Sequence, residues 1–135
     1  MPTLEEFCQV KGTMSARMLG KMPQGTRIDF MFEGTATSKH WEGERPVKGT
    51  DFVTVRSDGN MDLDIRATIG EKRETIAYHG SGVSIVKSQT EAMPQELITF
   101  QTGIEDLAWL NSSVGVALGE GETGAINITI YIIKP

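Results

Sequence analysis

Apolar and polar side chains alternate along most of this chain, in short runs that end at glycine-rich or polar turns. Residues 60–68 read NMDLDIRAT, with apolar side chains at the odd positions and polar side chains at the even positions. A β-strand places successive side chains on opposite faces, so a period of two is typical of a strand with one apolar face. The pattern therefore predicts an antiparallel all-β protein.

Ten segments carry enough of this pattern to be predicted as strands: 7–18, 26–33, 35–40, 51–57, 61–69, 74–80, 83–87, 97–102, 113–118 and 125–133. The sequence Ser57-Asp58-Gly59-Asn60 predicts a tight hairpin, since Asp-Gly between alternating strands is a strong turn signal. Further connections are predicted at the shorter glycine-containing stretches 70–73, 80–82 and 119–124. Residues 87–96, which include Pro94, are predicted as a loop, and residues 103–111 as one or two helical turns.

Successive hairpins with little helix predict a meander that closes into a barrel of about 8–10 strands, because closure removes exposed strand edges. A β-sandwich is the alternative architecture. The chain has 135 residues with no repeat or linker, which indicates one domain over residues 1–135. A barrel of about eight strands is either filled by its own side chains or holds one small ligand.

Charge and cysteine content narrow the possible partners. The net charge is −5 and no basic cluster is present, which argues against nucleic acid and anionic membranes as partners. Cys8 is the only cysteine, so an internal disulfide and a thiolate metal site are excluded. The start MPTLEEFCQV does not resemble a signal peptide, and no apolar run approaches ~20 residues, so a cytoplasmic location is expected.

The polar face of residues 60–68 has two interpretations. If it faces solvent, Asp64 and Arg66 form a hydrated surface pair with little effect on stability. If it faces the barrel interior, desolvation forces Asp64 and Arg66 to pair with each other or with a polar ligand. An interior pair of this kind would bind a carbonyl, carboxylate or hydroxyl group.

Two histidines and one tryptophan are further candidates. His40 lies beside Trp41 in a segment that could cover a barrel mouth, and His79 follows Tyr78 at a strand end. Either histidine has the pKa of a general base, and either is equally compatible with a surface position. Trp109, close to the amide of Asn111, is suited to stacking on a ligand or to plugging one barrel end. No metal-ligand spacing or phosphate-binding loop is present, so no metal or cofactor is predicted.

The order of several short elements resembles an uncharacterised family of small bacterial and fungal β-barrel proteins. The elements are GTDFVTVRSDGNMDLDIRATI (residues 49–69), then IAYHGSG, then FQTGIEDLAWLNSSVGVALGEG. The likeness extends from about residue 20 to residue 133 and is carried by G-x-D-[WF], D-G, D-x-R, I-x-Y and W-L-N motifs. It implies a calycin-like, lipocalin-like antiparallel barrel and a tendency to form oligomers.

The resemblance also implies functional positions, which in this chain are Asp51, Asp64, Arg66, Tyr78, Trp109 and Asn111. In a closed barrel they would converge on one mouth, with Asp64 and Arg66 facing the interior. The chain departs from the family pattern at residues 40–49 (HWEGERPVKG), where relatives have a shorter Gly- and Pro-rich link. His40 and Trp41 are therefore candidates for a different pocket.

Together these features favour a barrel that binds a small organic molecule, as an acid–base isomerase, cyclase or hydrolase. In that scheme Asp51 or Asp64 is the base, Tyr78 or His79 donates a proton, and Arg66 stabilises negative charge. The ligand contacts would come from His40, Trp41, Trp109 and Asn111. The alternatives are a non-catalytic carrier or sensor of an apolar ligand, and a scaffold. A homo-oligomer, dimer or trimer, is expected in each case.

Overall fold

Eight antiparallel strands form the wall of a closed barrel, in which each strand pairs with its neighbours in the chain and β8 returns to β1. The computed structural model describes residues 1–122 and 124–135. A 3-10 segment, Glu105–Ser112, separates β6 from β7. The strands are β1 (Thr3–Met22), β2 (Gly25–Thr37), β3 (Arg45–Val55), β4 (Met61–Glu71), β5 (Glu74–Val86), β6 (Glu91–Thr102), β7 (Val114–Glu122) and β8 (Ala125–Lys134). The predicted all-β class and closed antiparallel barrel are confirmed.

The alternating pattern arises because the apolar positions of a strand face the barrel interior and the polar positions face solvent. In β4 the side chains of Leu63, Ile65 and Ile69 are buried in the interior, whereas Asp64 and Arg66 are exposed. Four of the five isoleucines of β8, at even positions 126–132, lie on its inner face in the same way. Removal of these aliphatic side chains from water drives closure of the barrel.

Eight strands replace the ten predicted because two expected breaks are not turns. The glycines at positions 34, 80 and 82 lie inside β2 and β5. A Cβ at Gly82 would lie 1.8 Å from the carbonyl oxygen of Gln95, and one at Gly34 would lie 2.0 Å from that of Lys11. These glycines therefore permit close contact between neighbouring strands and do not end them.

The predicted loop over residues 87–96 is mostly strand, because β6 begins at Glu91. The tight turn is confined to residues 87–90, where the Lys87 N–H donates to the Glu91 carbonyl at 3.0 Å. Pro94 is accommodated because the ladder to β7 is interrupted at residues 93 and 94, between the pairs Ala92↔Gly121 and Gln95↔Leu118. A proline has no N–H to donate, so this gap removes the conflict with the sheet.

The predicted Asp58-Gly59 hairpin is present between β3 and β4. Gly59 has φ +88°, and the Arg56 N–H donates to the Asn60 carbonyl at 2.8 Å. In the last hairpin, β7 continues through Glu122, so most of the predicted 119–124 turn is strand. Thr123 of that predicted turn lies outside the described residues.

The two ends of the barrel differ. One end is closed by the 3-10 segment, whose Leu107 and Leu110 are buried, and this segment matches the helical turns predicted for residues 103–111. The opposite end carries the hairpins at residues 56–60 and 87–90 and is open. None of the helical residues in the described ranges forms a helix that is long and apolar enough to cross a bilayer.

Candidate functional site

A cavity of about 100 Å³ lies inside the barrel between its middle and its open end. Fifteen of its nineteen lining residues are apolar or glycine, and the other four are Asp51, Tyr78, Ser84 and Glu96. The cavity continues into a wider mouth of about 490 Å³, which shares five lining residues with it. The volume exceeds the ~30 Å³ share of a single water, so the interior has room for a small organic group.

Asp51 enters this cavity from β3, where it lies on the same face as the buried residue Val53. The pairing between β3 and β4 is interrupted after Asp51↔Ile65 and resumes at Thr54↔Asp62. Within this gap the backbone N–H of Asp64 donates to Asp51 Oδ1 at 3.0 Å. Burial raises the pKa of Asp51 to about 6, the charge of Asp64 adds to the rise, and this hydrogen bond opposes it.

Glu96 enters the cavity from β6 and is only 5% exposed. Its Oε2 atom is fully buried and has no hydrogen-bond partner among the described residues. Burial raises the pKa of Glu96 to about 9, and the negative charges of Asp51 and Asp64 raise it further. Glu96 is therefore protonated at neutral pH. A buried polar atom without a partner is rare in folded proteins and therefore requires an explanation, such as a catalytic role or a bound water or ion.

The two carboxyl groups have different protonation states at neutral pH. Asp51, with a pKa of about 6, is mostly ionised, while Glu96, with a pKa of about 9, holds its proton. Tyr78 is 6% exposed and burial raises its pKa, so its phenol is neutral. Ser84 is 2% exposed and adds a hydroxyl to the same lining. A base and an acid in one apolar cavity are the arrangement that proton-transfer catalysis requires.

The structure divides the predicted catalytic residues into two groups. Asp51 and Tyr78 lie inside, as the resemblance implied. The prediction that Asp64 and Arg66 face the interior is wrong, because both are exposed on the outer wall. Their strand must bury Leu63 and Ile65, and the period of two then forces its even positions outward.

His79 also lies on the outer wall, where its Nε2 is 3.2 Å from Asp64 Oδ1. Both side chains are about half exposed, at 51% for His79 and 53% for Asp64. Arg66 and His79 border a broad depression that is open to solvent. An exposed pair of this kind contributes ~0–1 kcal/mol to stability and lies outside the cavity that contains Asp51.

The predicted ligand-binding aromatic residues meet at the closed end of the barrel. The ring of His40 is 5.3 Å from Trp109, and Phe7 is 5.7 Å from Trp41 and 5.9 Å from Trp109. The indole N–H of Trp41 donates to the Ala36 carbonyl at 3.2 Å. This cluster does not line the cavity, and it packs over the end of the core as a plug.

His40 and Asn111 both lie at the closed end and interact with residues there. Partial burial lowers the pKa of His40, and the neighbouring Lys39 acts in the same direction. Asn111 Oδ1 accepts from the Thr102 N–H at 2.9 Å, and its Nδ2 donates to the Thr102 and Ala108 carbonyls. The Asn111 amide therefore fastens the 3-10 segment to β6 and is not directed at a ligand.

Sequence reasoning missed Glu96 and Ser84. Glu96 precedes the predicted strand 97–102 and occupies the same face as Ile98 and Phe100, so extending that alternation by one residue would have placed it inside. Ser84 follows the glycines of β5, where the predicted break at residues 80–82 obscured the register.

Two other chemistries are not supported at this site. Cys8 is 1% exposed, and burial raises its pKa to about 12, so little thiolate forms at neutral pH. Within residues 1–122 and 124–135, no three His, Cys, Asp or Glu side chains are grouped closely enough to hold a metal ion.

Several solved structures are similar to this barrel over almost its whole length. A protein of unknown function from Clostridium acetobutylicum has a TM-score of 0.87 and 19% identity, covering 99% of this chain and 98% of its own. A β-barrel-like protein from Acinetobacter baumannii has a TM-score of 0.83 and 19% identity, covering 99% of this chain and 97% of its own. A protein described as an enzyme, from Penicillium herquei, has a TM-score of 0.74 and 18% identity, covering 98% and 95%. At these identities the likeness shows the fold alone.

Sequence comparison gives the family. Among curated proteins none matches the chain. The model of one family, described as "Protein of unknown function (DUF3237)", matches residues 2–133. The chain therefore belongs to the DUF3237 family, whose function is unknown.

Proposed function

We propose that this protein is an acid–base enzyme that transfers protons on a small organic molecule bound inside the barrel. The observation that carries the proposal is the pair of carboxyl groups in one apolar cavity, of which Glu96 has a buried oxygen without a partner. Burial separates the pKa values of Asp51 and Glu96 to about 6 and about 9. Such a pair supplies a base and an acid at the same pH.

Each polar side chain of the cavity has a role in this scheme. Asp51 accepts a proton from the substrate and returns it at a second position, while Glu96 donates a hydrogen bond to the substrate oxygen. Tyr78 and Ser84 donate hydrogen bonds to the oxygen on which charge develops. Proton transfer of this kind drives isomerisation and ring closure, and with a bound water it drives hydrolysis. A fold neighbour described as an enzyme is compatible with catalysis in such a barrel.

The test uses a small neutral isomerisation. In 3-cyclohexen-1-one a base removes a proton from C2 and returns it to C4, giving the conjugated 2-cyclohexen-1-one, which is followed by its ultraviolet absorbance. We expect acceleration above buffer, and a loss of about 10²–10⁴-fold in Asp51→Asn and in Glu96→Gln. Arg66→Ala, on the outer wall, is the matched control and should retain the wild-type rate. Equal rates in wild type and Asp51→Asn would refute the proposal.

A second function is favoured by the apolar lining of the cavity. With fifteen of nineteen lining residues apolar or glycine, the barrel is also suited to a non-catalytic carrier or sensor, as lipocalins are. A carrier would bind its ligand without turnover. Asp51→Asn would then leave the affinity for uncharged ligands intact, whereas the enzyme would lose its rate.

A further inference from the structure

The route from solvent into the cavity has no positively charged lining. None of the nineteen residues around the cavity, and none of the fifteen around the mouth, is Lys, Arg or His. The rim instead carries Glu91 and Glu122, which lie directly opposite each other in the β6–β7 ladder. The cavity beyond the rim holds Asp51 and Glu96. In the described residues, therefore, no cationic side chain lines this path to balance its four acidic residues, Glu91, Glu122, Asp51 and Glu96.

An anionic ligand would be opposed on this path by electrostatic repulsion and by the cost of desolvation. Its charge would first approach the carboxylates of Glu91 and Glu122, which repel it. It would then lose its water in a mostly apolar cavity beside Asp51, with no cation to replace the lost hydration. Carboxylates and phosphate esters are therefore poor ligands for this site.

An uncharged ligand with an oxygen acceptor would form a hydrogen bond with the buried carboxyl group of Glu96. Glu96 is only 5% exposed, and its Oε2 has no hydrogen-bond partner in the part of the chain that the structure describes. In its protonated form a carboxyl group has one O–H to donate, and a carbonyl oxygen is a suitable neutral acceptor. A cationic ligand would be attracted by ionised Asp51, but its ammonium group has no lone pair to accept the O–H of protonated Glu96, and it would lose its water in a mostly apolar cavity.

We propose that the cavity selects an uncharged molecule that presents a carbonyl or similar oxygen acceptor to Glu96, and that it excludes carboxylates and phosphate esters. This inference rests on the proposed function in taking the barrel interior as the ligand site. It adds the charge class of the ligand, which catalysis by an acid and a base does not specify.

The experiment compares ligands of one shape and three charges. Cyclohexyl methyl ketone, cyclohexanecarboxylate and cyclohexylmethylammonium are titrated into labelled protein at pH 7, and the backbone amide signals of Ser84 and Ala117 report binding in the cavity. We expect saturable shifts with the ketone and at least about tenfold weaker binding of the carboxylate and of the ammonium ion. Ethylcyclohexane, which lacks the oxygen, should also bind more weakly than the ketone.

Variants separate the charge of the cavity from its shape. In Glu96→Gln the amide N–H still donates to the ketone, so its affinity should stay within about threefold of wild type. In the double variant Asp51→Asn with Glu96→Gln, the preference for the ketone over the carboxylate should narrow, since both carboxyl groups become neutral amides. Arg66→Ala should leave all affinities unchanged.

Equal or tighter binding of cyclohexanecarboxylate would overturn the inference, and tighter binding of the ammonium ion would identify a cation site instead. These outcomes are distinct from failure of the proposed function. Selective ketone binding without isomerisation of 3-cyclohexen-1-one would support the ligand class and reject the enzyme. Isomerisation together with strong carboxylate binding would support the enzyme and reject the ligand class.

Discussion

At the scale of single residues, burial is the cause of the proposed chemistry. Asp51 and Glu96 share a cavity, and desolvation is the largest contribution to the rise in pKa of each. The negative charge of ionised Asp51 also raises the pKa of Glu96. The hydrogen bond from the Asp64 N–H favours the ionised form of Asp51, which is the form that the proposed base requires.

The first prediction at this scale is a bell-shaped pH profile. If Asp51 must be ionised and Glu96 protonated, kcat/KM for 3-cyclohexen-1-one should rise through pH about 6 and fall through pH about 9. The profile is measured with wild type and with Glu96→Gln. Glu96→Gln should lose the alkaline limb, and a limb that persists in this variant would assign it to another group.

The second prediction concerns stability. Unfolded Glu96 ionises above its ordinary pKa of 4.5, while the folded protein keeps the proton up to about pH 9. Between these values the folded state binds more protons, so the free energy of unfolding falls as pH rises. Glu96→Gln removes this loss and should be more stable than wild type by about 2 kcal/mol or more at pH 9, with a much smaller difference at pH 5. Urea unfolding at both pH values measures it, and an unchanged difference would contradict the raised pKa.

At the scale of elements, β4 shows how one strand serves two environments. Ile69, on its inner face, is fully buried, and Arg66, on its outer face, is exposed. We expect Ile69→Ala to cost about 2–5 kcal/mol of the free energy of unfolding, because a cavity replaces packed side chain. Arg66→Ala should change it by less than about 0.5 kcal/mol. Chemical denaturation tests the pair, and a larger effect at Arg66 would mean that the assigned faces are reversed.

The barrel architecture could be predicted from the sequence because the alternation of apolar and polar residues is visible within each short segment. The strand pattern and the Asp58-Gly59 turn predict antiparallel hairpins, and closure follows from the need to cover strand edges. Strand ends were less accessible. Gly82 lies against the backbone of Gln95, and Pro94 lies at a gap in the β6–β7 ladder. Both features depend on a neighbouring strand, which the local sequence does not reveal.

The site was accessible only in part, for a related reason. Alternation separates two faces of a strand but does not say which faces inward when polar residues occupy one of them. Because Leu63 and Ile65 are buried, Asp64 faces outward, contrary to the orientation predicted from the resemblance. Glu96 is a polar residue on an otherwise apolar inner face, so a pattern read for hydrophobicity passes over it.

At the scale of the whole molecule, the barrel has one plugged end and one open end. The aromatic cluster of Phe7, His40, Trp41 and Trp109 packs over the closed end, where Arg45 also lies 4.6 Å from the Trp41 ring. The cavity lies toward the opposite end, where the wider mouth connects it to solvent. This polarity gives the proposed substrate a route of entry through the acidic rim.

The outer wall leads to a prediction about assembly. Leu97 is 60% exposed, and Val114 and Leu118 on the adjoining β7 are 44% and 38% exposed. Adjacent exposed apolar side chains mark association surfaces, so we expect a dimer or trimer in native mass spectrometry. Leu97→Lys should shift the population toward the monomer, while Lys11→Ala, at an exposed polar position of β1, should not. A monomeric wild type would contradict this expectation.

The most direct test of the central claim is a titration of the carboxyl carbons of Asp51 and Glu96 by nuclear magnetic resonance in ¹³C-labelled protein. We predict midpoints near pH 6 for Asp51 and near pH 9 for Glu96, with each signal assigned from Asp51→Asn and Glu96→Gln. We also predict that Asp51→Asn lowers the midpoint of Glu96, because the negative charge of ionised Asp51 is removed. Midpoints near the ordinary values of 3.8 and 4.5 would show that the cavity holds no separate acid and base, and would contradict the proposed chemistry.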